Sequence, residues 1–294
     1  MPEQFASPDA PEPSRPSTSA VPAPASSPAQ PLLRATGLSR AYTLPRETLF
    51  SKPRITHALS DADLTVATGE TVGVIGESGS GKSTLVRLLL ALDTPTSGTV
   101  EFEGKPVTGR SARDLHWFRR ETGIVFQDPY ASLDPRMSVG RIIAEPLLAL
   151  DIPGDHRSKV RAVLRLVGLD ADAANRYPHE FSGGQRQRIA LSRAIVHRPK
   201  LLIGDEPLSA LDVTVRAQIL ELLAQLRTEL GLTIVLVSHD IGVVQHLCDR
   251  VVVMKDGRVV EQGSVSEVLN RPQHAYTKEL LDSVPTITVP GGPA

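Results

Sequence analysis

Two stretches of this chain set glycines and a hydroxyl at the mouth of a helical pattern. Gly76, Glu77, Ser78, Gly79, Ser80, Gly81, Lys82, Ser83 and Thr84 follow an apolar run and lead into "LVRLLLAL". Ser182, Gly183, Gly184 and Gln185 open "RQRIALSRAIV". The first stretch fits G-x-x-x-x-G-K-[ST]. Its glycines let the backbone curl until N–H groups point inward at phosphate oxygens, and the following helix adds its positive end. Lys82 supplies a point charge to β- and γ-phosphates, and the Ser83 hydroxyl is a ligand for Mg²⁺. The chemistry is that of a polyphosphate held with Mg²⁺. The second stretch offers donors of the same kind without the lysine. A chain with two phosphate cradles poses a question of economy: one nucleotide needs one.

Three strand-like runs end in polar residues. "LLIGDEP" carries apolar residues into Asp205 and Glu206. Adjacent carboxylates at the end of a buried strand are costly without a cation. Asp205 suits the Mg²⁺ shell, and Glu206 a general base on, or an orienter of, the attacking water. "GIVFQD" ends on Gln127 and "TIVLVSHD" on His239. Alone, an Asp-Glu pair reads as a solvated turn and a single histidine as structural. Beside a phosphate loop they fit groups that sense the γ-phosphate: the Gln127 amide toward Mg²⁺ and water, the His239 imidazole toward phosphate oxygen.

The elements that must position these residues follow from periodicity. "TVGVIGES" reads as a buried strand ending in a glycine turn, and "STLVRLLLAL" as a helix. "GTVEFEGKPV" alternates with period two and is expected as an antiparallel edge strand. "RVVVMKDGRVVEQG" reads as a hairpin around "KDG". Pro129 to Arg176 reads as a helical insertion. Alternating strands and helices imply a largely parallel sheet, and in such sheets ligands bind beyond the carboxyl ends of the strands.

Composition bounds the rest. The chain has 294 residues, 40% of them apolar, with a formal net charge of −1. That is enough for a substantial core, and no strong field argues for nucleic acid. A single cysteine, Cys248, excludes an intramolecular disulfide framework and reads as a buried thiol. No run approaches the ~18 apolar residues of a spanning helix, and no secretory pattern opens the chain. A cytosolic protein is expected, with any membrane role through a partner. Met1 to Pro31, rich in Pro, Ala and Ser, is expected to be a disordered tail.

In the order P-loop, "FQDP", "FSGGQ", "DEP", "SALD" and "SHD", the chain resembles the ATP-binding subunits of ABC transporters, from about Leu32 to Pro285. The resemblance implies an α/β fold: a P-loop NTPase (RecA-like) core with an antiparallel β subdomain and an inserted helical subdomain. It places the nucleotide-binding domain at 32–265, the helical part at about 129–190 and a C-terminal extension at 266–294. It also answers the question of two cradles. In the family, two such domains pack head to tail, and the signature loop of one covers the γ-phosphate held by the other. Ser182, Gly183, Gly184 and Gln185 would then act in trans. Asp212 matches the loop that communicates between the two sites, and Tyr42 in "SRAYTL" matches an aromatic residue under adenine.

"FQDPYASLDPRMSVGRIIAEPL", "NRYPHEFSGGQRQRIALSRAI" and "QHAYTKELLDSVP" look like the peptide/nickel importer subfamily, in particular its dipeptide- and oligopeptide-import ATPases. The insertion "TLPRETLFSKPRITHAL" resembles that branch as well. The cysteine-rich tail of some relatives is absent. The implied partners are two membrane permease subunits, a second, identical or homologous ATPase and, indirectly, an extracytoplasmic substrate-binding protein, with no nucleic acid. The implied place is the cytoplasmic face of the membrane. The alternative is a soluble ABC module serving as switch or assembly factor, as in carbon–phosphorus lyase complexes. The residues leave the cargo open.

Overall fold

The computed structural model describes residues 30–43, 53–128, 132–209 and 211–283. Most of the expected disordered tail, residues 44–52 of the insertion, "PYA" at 129–131 and the chain after 283 lie outside them. In chain order the strands are β1 (Leu33–Thr43), β2 (Ile55–Val66), β3 (Thr71–Ile75), β4 (Ser97–Phe102), β5 (Lys105–Pro106), β6 (Thr122–Val125), β7 (Leu201–Asp205), β8 (Thr233–Val237), β9 (Arg250–Lys255) and β10 (Arg258–Ser264). The helices are α1 (Lys82–Leu89), α2 (His116–Glu121), α3 (Val139–Ala149), α4 (His156–Leu166), α5 (Gly183–Ile195), α6 (Val213–Leu230), α7 (Ile241–Leu247), α8 (Val265–Asn270) and α9 (Ala275–Asp282).

Six strands form the central sheet in the order β10-β9-β3-β8-β7-β6. Its pairs are parallel except β9 with β10. Every residue of β3 and of β8 is buried, as expected of strands covered on both faces. Period-two alternation divides their side chains between two cores. Val72, Val74, Val235 and Val237 pack with α1 and the second sheet, whereas Ile75, Ile234 and Leu236 pack with α5, α6 and α7. The second sheet is antiparallel, in the order β2-β1-β4-β5. Helix α1 is thus held between two sheets, which fixes the loop that precedes it.

One expectation needs correction. "GTVEFEGKPV" does not form an edge: β4 lies between β1 and β5. The stretch folds back on itself at Glu103 and Gly104, both at positive φ (50° and 71°), a two-residue turn that suits the twist of a hairpin. The edge is the two-residue β5, which ends in Pro106, a residue that cannot donate to a further strand. The "KDG" hairpin is present as read, with Asp256 and Gly257 at φ 48° and 74°. Between β6 and β7 the described residues contain helices and two 3-10 turns, Ala171–Asn175 and Pro178–Glu180, and no strand.

Cys248 lies against Val244 and β3 and is buried; burial, with the charge of Asp249 beside it, pushes its thiol up to about 12. The reactive thiolate is therefore scarce at neutral pH. A maleimide at pH 7.5 is expected to leave the folded chain unmodified and to label it once it is unfolded in denaturant. Full-rate labelling of the folded protein would contradict the packing described here.

Candidate nucleotide site

The phosphate loop leaves β3 at Gly76 and enters α1 at Lys82. Two of its glycines are dictated by what presses on them from outside. Gly76 has φ +149°, and a Cβ there would fall 2.2 Å from the Met254 carbonyl oxygen of β9. Gly81 has φ +100°, and a Cβ would fall 2.6 Å from the Ala58 carbonyl oxygen of β2. Contacts that short do not relax, because the obstructing atoms are backbone. Further outside, the Gly257 N–H of the β9–β10 turn donates to Ser80 O at 3.1 Å. The Glu77 N–H donates to the hydroxyl of Tyr276 in α9 at 3.0 Å. Ser78, Gly79 and Ser83 are exposed, and Thr84 is half-buried in the first turn of α1.

Lys82 points into the curl of this loop. Its ammonium donates to Gly76 O (2.7 Å), Glu77 O (2.8 Å) and Ser80 Oγ (3.5 Å). Burial lowers its pKa, although the charges of Glu206, Asp205 and Glu77 work the other way. It is a cation held by neutral carbonyls, which makes it a receptor for an anion.

Strand β7 delivers Asp205 and Glu206 beside the loop. Ser83 Oγ donates to Asp205 Oδ1 at 3.2 Å. Glu206 Oε2 accepts from Gln127 Nε2 at 3.4 Å and from His239 Nδ1 at 3.1 Å. Consecutive residues of a strand point to opposite faces. Glu206 escapes that rule because its backbone is left-handed, at φ 49°, with its N–H on Val237 O. That conformation costs a residue with a side chain about 1–2 kcal/mol. The result is that both carboxylates serve one crevice. Burial, and secondarily the neighbouring Glu206, push the Asp205 carboxyl above the usual carboxylate range, against the pull of Ser83 and Lys82. With Nδ1 donating to a carboxylate, a neutral His239 presents Nε2 as an acceptor. To donate to a phosphate oxygen, the ring must charge or release Glu206.

The second cradle is separate. Ser182 caps α5 through a reciprocal pair: Gln185 N–H donates to Ser182 Oγ (3.4 Å) and Ser182 N–H to Gln185 Oε1 (3.0 Å). The Gly183 and Gly184 N–H groups belong to the first helical turn, which has no carbonyl partners within the helix. A Cβ on Gly184 would fall 2.5 Å from Val215 Cγ1, so this turn is packed on the start of α6. Asp212 caps that same helix, accepting from Val215 N–H at 2.9 Å. Among the described residues, no hydrogen bond or ion pair joins 182–185 to 76–84.

Tyr42 ends β1. Its hydroxyl donates to Asp93 Oδ2 at 2.7 Å, and the Arg40 guanidinium lies over its ring at 4.6 Å while pairing with Asp93 at 2.8 Å. Burial raises Asp93, but hydrogen bonds from Tyr42 and Thr94 and the charges of Arg40 and Arg87 more than offset it, and its pKa falls. With Arg40 over one face, a ligand stacking on Tyr42 would have to use the other.

Comparison with known proteins agrees with this geometry. Residues 59–209 match the model of the ABC transporter family. The chain belongs to the ABC transporter family. Residues 260–292 of this ABC ATPase match the C-terminal region of oligopeptide/dipeptide transporters. It is 44% identical to the dipeptide transport ATP-binding protein DppF of Haemophilus influenzae over 260 residues, 88% of this chain and 79% of that one. It is 46% identical to the oligopeptide transport ATP-binding protein OppF of Salmonella typhimurium over 243 residues, 82% of this chain and 73% of that one. Among solved structures it resembles the ATP-binding cassette MJ0796, a dimer in a post-hydrolysis state with ADP and Pi (TM-score 0.69, 30% identity, 79% of this chain and 98% of that one). It also resembles cbiO1 of Clostridium perfringens (TM-score 0.70, 32% identity, 82% and 92%).

Three contributors to the cassette's site were not among the residues the sequence assigned to it. Gly257 and Tyr276 hold the loop from behind. Arg216 of α6 forms an ion pair with Asp240, which also accepts from the Gly242 and Val243 N–H groups and so caps α7 directly after His239. The capping pattern Asp240-Ile241-Gly242 was visible in the sequence; the partner Arg216 was not.

The raised pKa of Asp205 has a consequence for stability. The folded state holds this proton more tightly than the unfolded chain. Stability is therefore lost as pH rises from the unfolded pKa through the folded one, and at neutral pH the ionised carboxylate is a net burden. Without nucleotide or Mg²⁺, Asp205→Asn is expected to melt at or above the wild-type temperature at pH 7, with the difference closing as pH falls through that window. Calorimetry checks this, and a large loss of stability at pH 7 would contradict it.

Proposed function

We propose that this ABC ATPase powers the import of di- or oligopeptides. The observation that carries its catalytic part is the shared grip of Gln127 and His239 on one oxygen of Glu206, beside the phosphate loop. In this reading Gly76 to Thr84 hold the ATP phosphates, with Lys82 on the β- and γ-phosphates and Tyr42 under the adenine. Ser83, Asp205 and Gln127 hold Mg²⁺. Their hydroxyl, carboxylate and amide oxygens are the hard donors that Mg²⁺ takes, and the Ser83–Asp205 contact brings two of them together. Among the described residues no cluster of three His, Cys, Asp or Glu side chains could hold a metal. When bound, Mg²⁺ neutralises charge developing on the phosphate oxygens. Glu206 takes the proton of the attacking water, and His239 meets the γ-phosphate.

Gly183 and Gly184 have N–H donors without a partner inside the helix, and among the described residues no hydrogen bond or ion pair joins Ser182 to Gln185 to their own chain's loop, which supports action in trans on a second ATPase. Their helix is packed on the one capped by Asp212, which joins the signature turn to the loop assigned to communication between the sites. The nucleotide-binding domain spans 32–265, with its helical part at about 129–190, followed by the 266–294 extension and preceded by the 1–31 tail. No helix among the described residues is long and apolar enough to cross a membrane. In this reading force reaches cargo through two separate permease subunits, with the ATPase on the cytoplasmic face and a binding protein delivering substrate from outside. In this reading the permease docks against a groove on this face. Phe126, 45% exposed and one residue before Gln127, borders a groove of about 370 Å³ with Pro146, Ala149 and Arg193. Peptides as cargo rest on the C-terminal match and on the relatives' names.

Glu206→Gln is expected to slow hydrolysis by roughly 10²–10⁴-fold, the usual scale for a general base, while ATP binding persists. Near-normal turnover would remove Glu206 from that role. The whole reading is tested by purifying the tagged chain from mildly solubilised native membranes. Two multi-spanning proteins, with or without a second ATPase, should accompany it. A wholly soluble partner set would favour a switch or assembly factor instead.

A further inference from the structure

The contact between Tyr276 and the phosphate loop joins residues 199 positions apart and has no place in the hydrolysis described above. Tyr276 is only 2% exposed, and the Lys255 ammonium lies 4.4 Å above its ring. Its helix is pinned at its start. Glu261 of β10 accepts the Gln273 N–H on one carboxylate oxygen (2.8 Å) and the His274 N–H on the other (3.0 Å). The His274 ring then accepts the Tyr276 N–H at 3.1 Å. The hydroxyl is therefore placed by β10, the strand whose turn also gives the Gly257 N–H to Ser80 O. The loop is held from behind at residues 77 and 80, both upstream of Lys82.

We propose that Tyr276 is a positioning residue for ATP: by accepting the outward Glu77 N–H, it fixes the curl that turns the following loop amides toward the phosphates. An amide whose partner is lost is free to turn, and the loop then samples conformations that cannot hold a phosphate. Binding must then also supply the ordering that the hydroxyl otherwise provides in advance. The C-terminal extension thereby sets how well the ATPase holds its nucleotide. This rests on the reading of Gly76 to Thr84 as the ATP site.

Tyr276→Phe removes the acceptor and keeps the ring under Lys255. The test measures equilibrium binding of a fluorescent ATP analogue with Mg²⁺ to the full chain, alongside the melting temperature without nucleotide. Binding to Tyr276→Phe is expected to weaken about three- to ten-fold, the scale of one hydrogen bond, with the melting temperature close to wild type. Tyr276→Leu, which also loses the ring, should weaken binding at least as much. Wild-type affinity in Tyr276→Phe would overturn the proposal. So would a loss that vanishes once affinity is expressed per folded molecule, because the tyrosine would then be structural only. Lys82→Ala is measured in parallel. If it binds like wild type, the site reading itself fails, whatever Tyr276 does.

Discussion

A loop that binds phosphate with its backbone has to turn its N–H groups inward against their tendency to find partners elsewhere. Here the turn is enforced from behind. The Met254 and Ala58 carbonyls sit where Cβ atoms of Gly76 and Gly81 would be, and Gly257 and Tyr276 take up an outward carbonyl and an outward N–H. The parallel sheet sets β9 beside β3, and the antiparallel sheet brings β2 over α1, so both layers of the fold converge on these few atoms. The glycines are then consequences: no other residue fits between a backbone wall and a bound anion.

The electrostatics follow the same logic of a site shaped to take a further charged group. Lys82 is lowered by burial and Asp205 raised by it, each opposed by neighbours of opposite sign. Neither is in the environment that best suits it alone. Glu206 adds a left-handed backbone, placed so that two successive carboxylates share one crevice. Such local strain gathers where function requires it and is sustained by the surrounding fold. The same crevice adjoins the surface and a second helix. Gln127 is one residue from the exposed Phe126, and the turn of Ser182 is packed on the helix that Asp212 caps.

Much of this was legible in the sequence because it is local. A buried run into glycines and a lysine, apolar runs into Asp205, Gln127 and His239, and the "KDG" turn each need only neighbouring residues to be read. That Gln127, His239 and the Asp205–Glu206 pair share one crevice followed from the rule about strand ends; that both side chains bond Glu206 did not. What escaped depends on distant pairing. Tyr276, Arg216 and the Ala58 carbonyl carry no periodic signal of the partner they meet. β4 failed as an edge strand because alternation reports which faces are wet, not how many neighbours a strand has.

The central claim is that one chain's two cradles serve two nucleotides. It can be tested with a photoreactive maleimide on Ser182→Cys, since the buried Cys248 should stay unlabelled. In the purified transporter with ATP and Mg²⁺, illumination is predicted to join this position to the phosphate loop of another ATPase chain, giving a band of two ATPase chains that depends on nucleotide. A crosslink to residues 76–84 of the same chain, or one equally strong without ATP, would contradict the account.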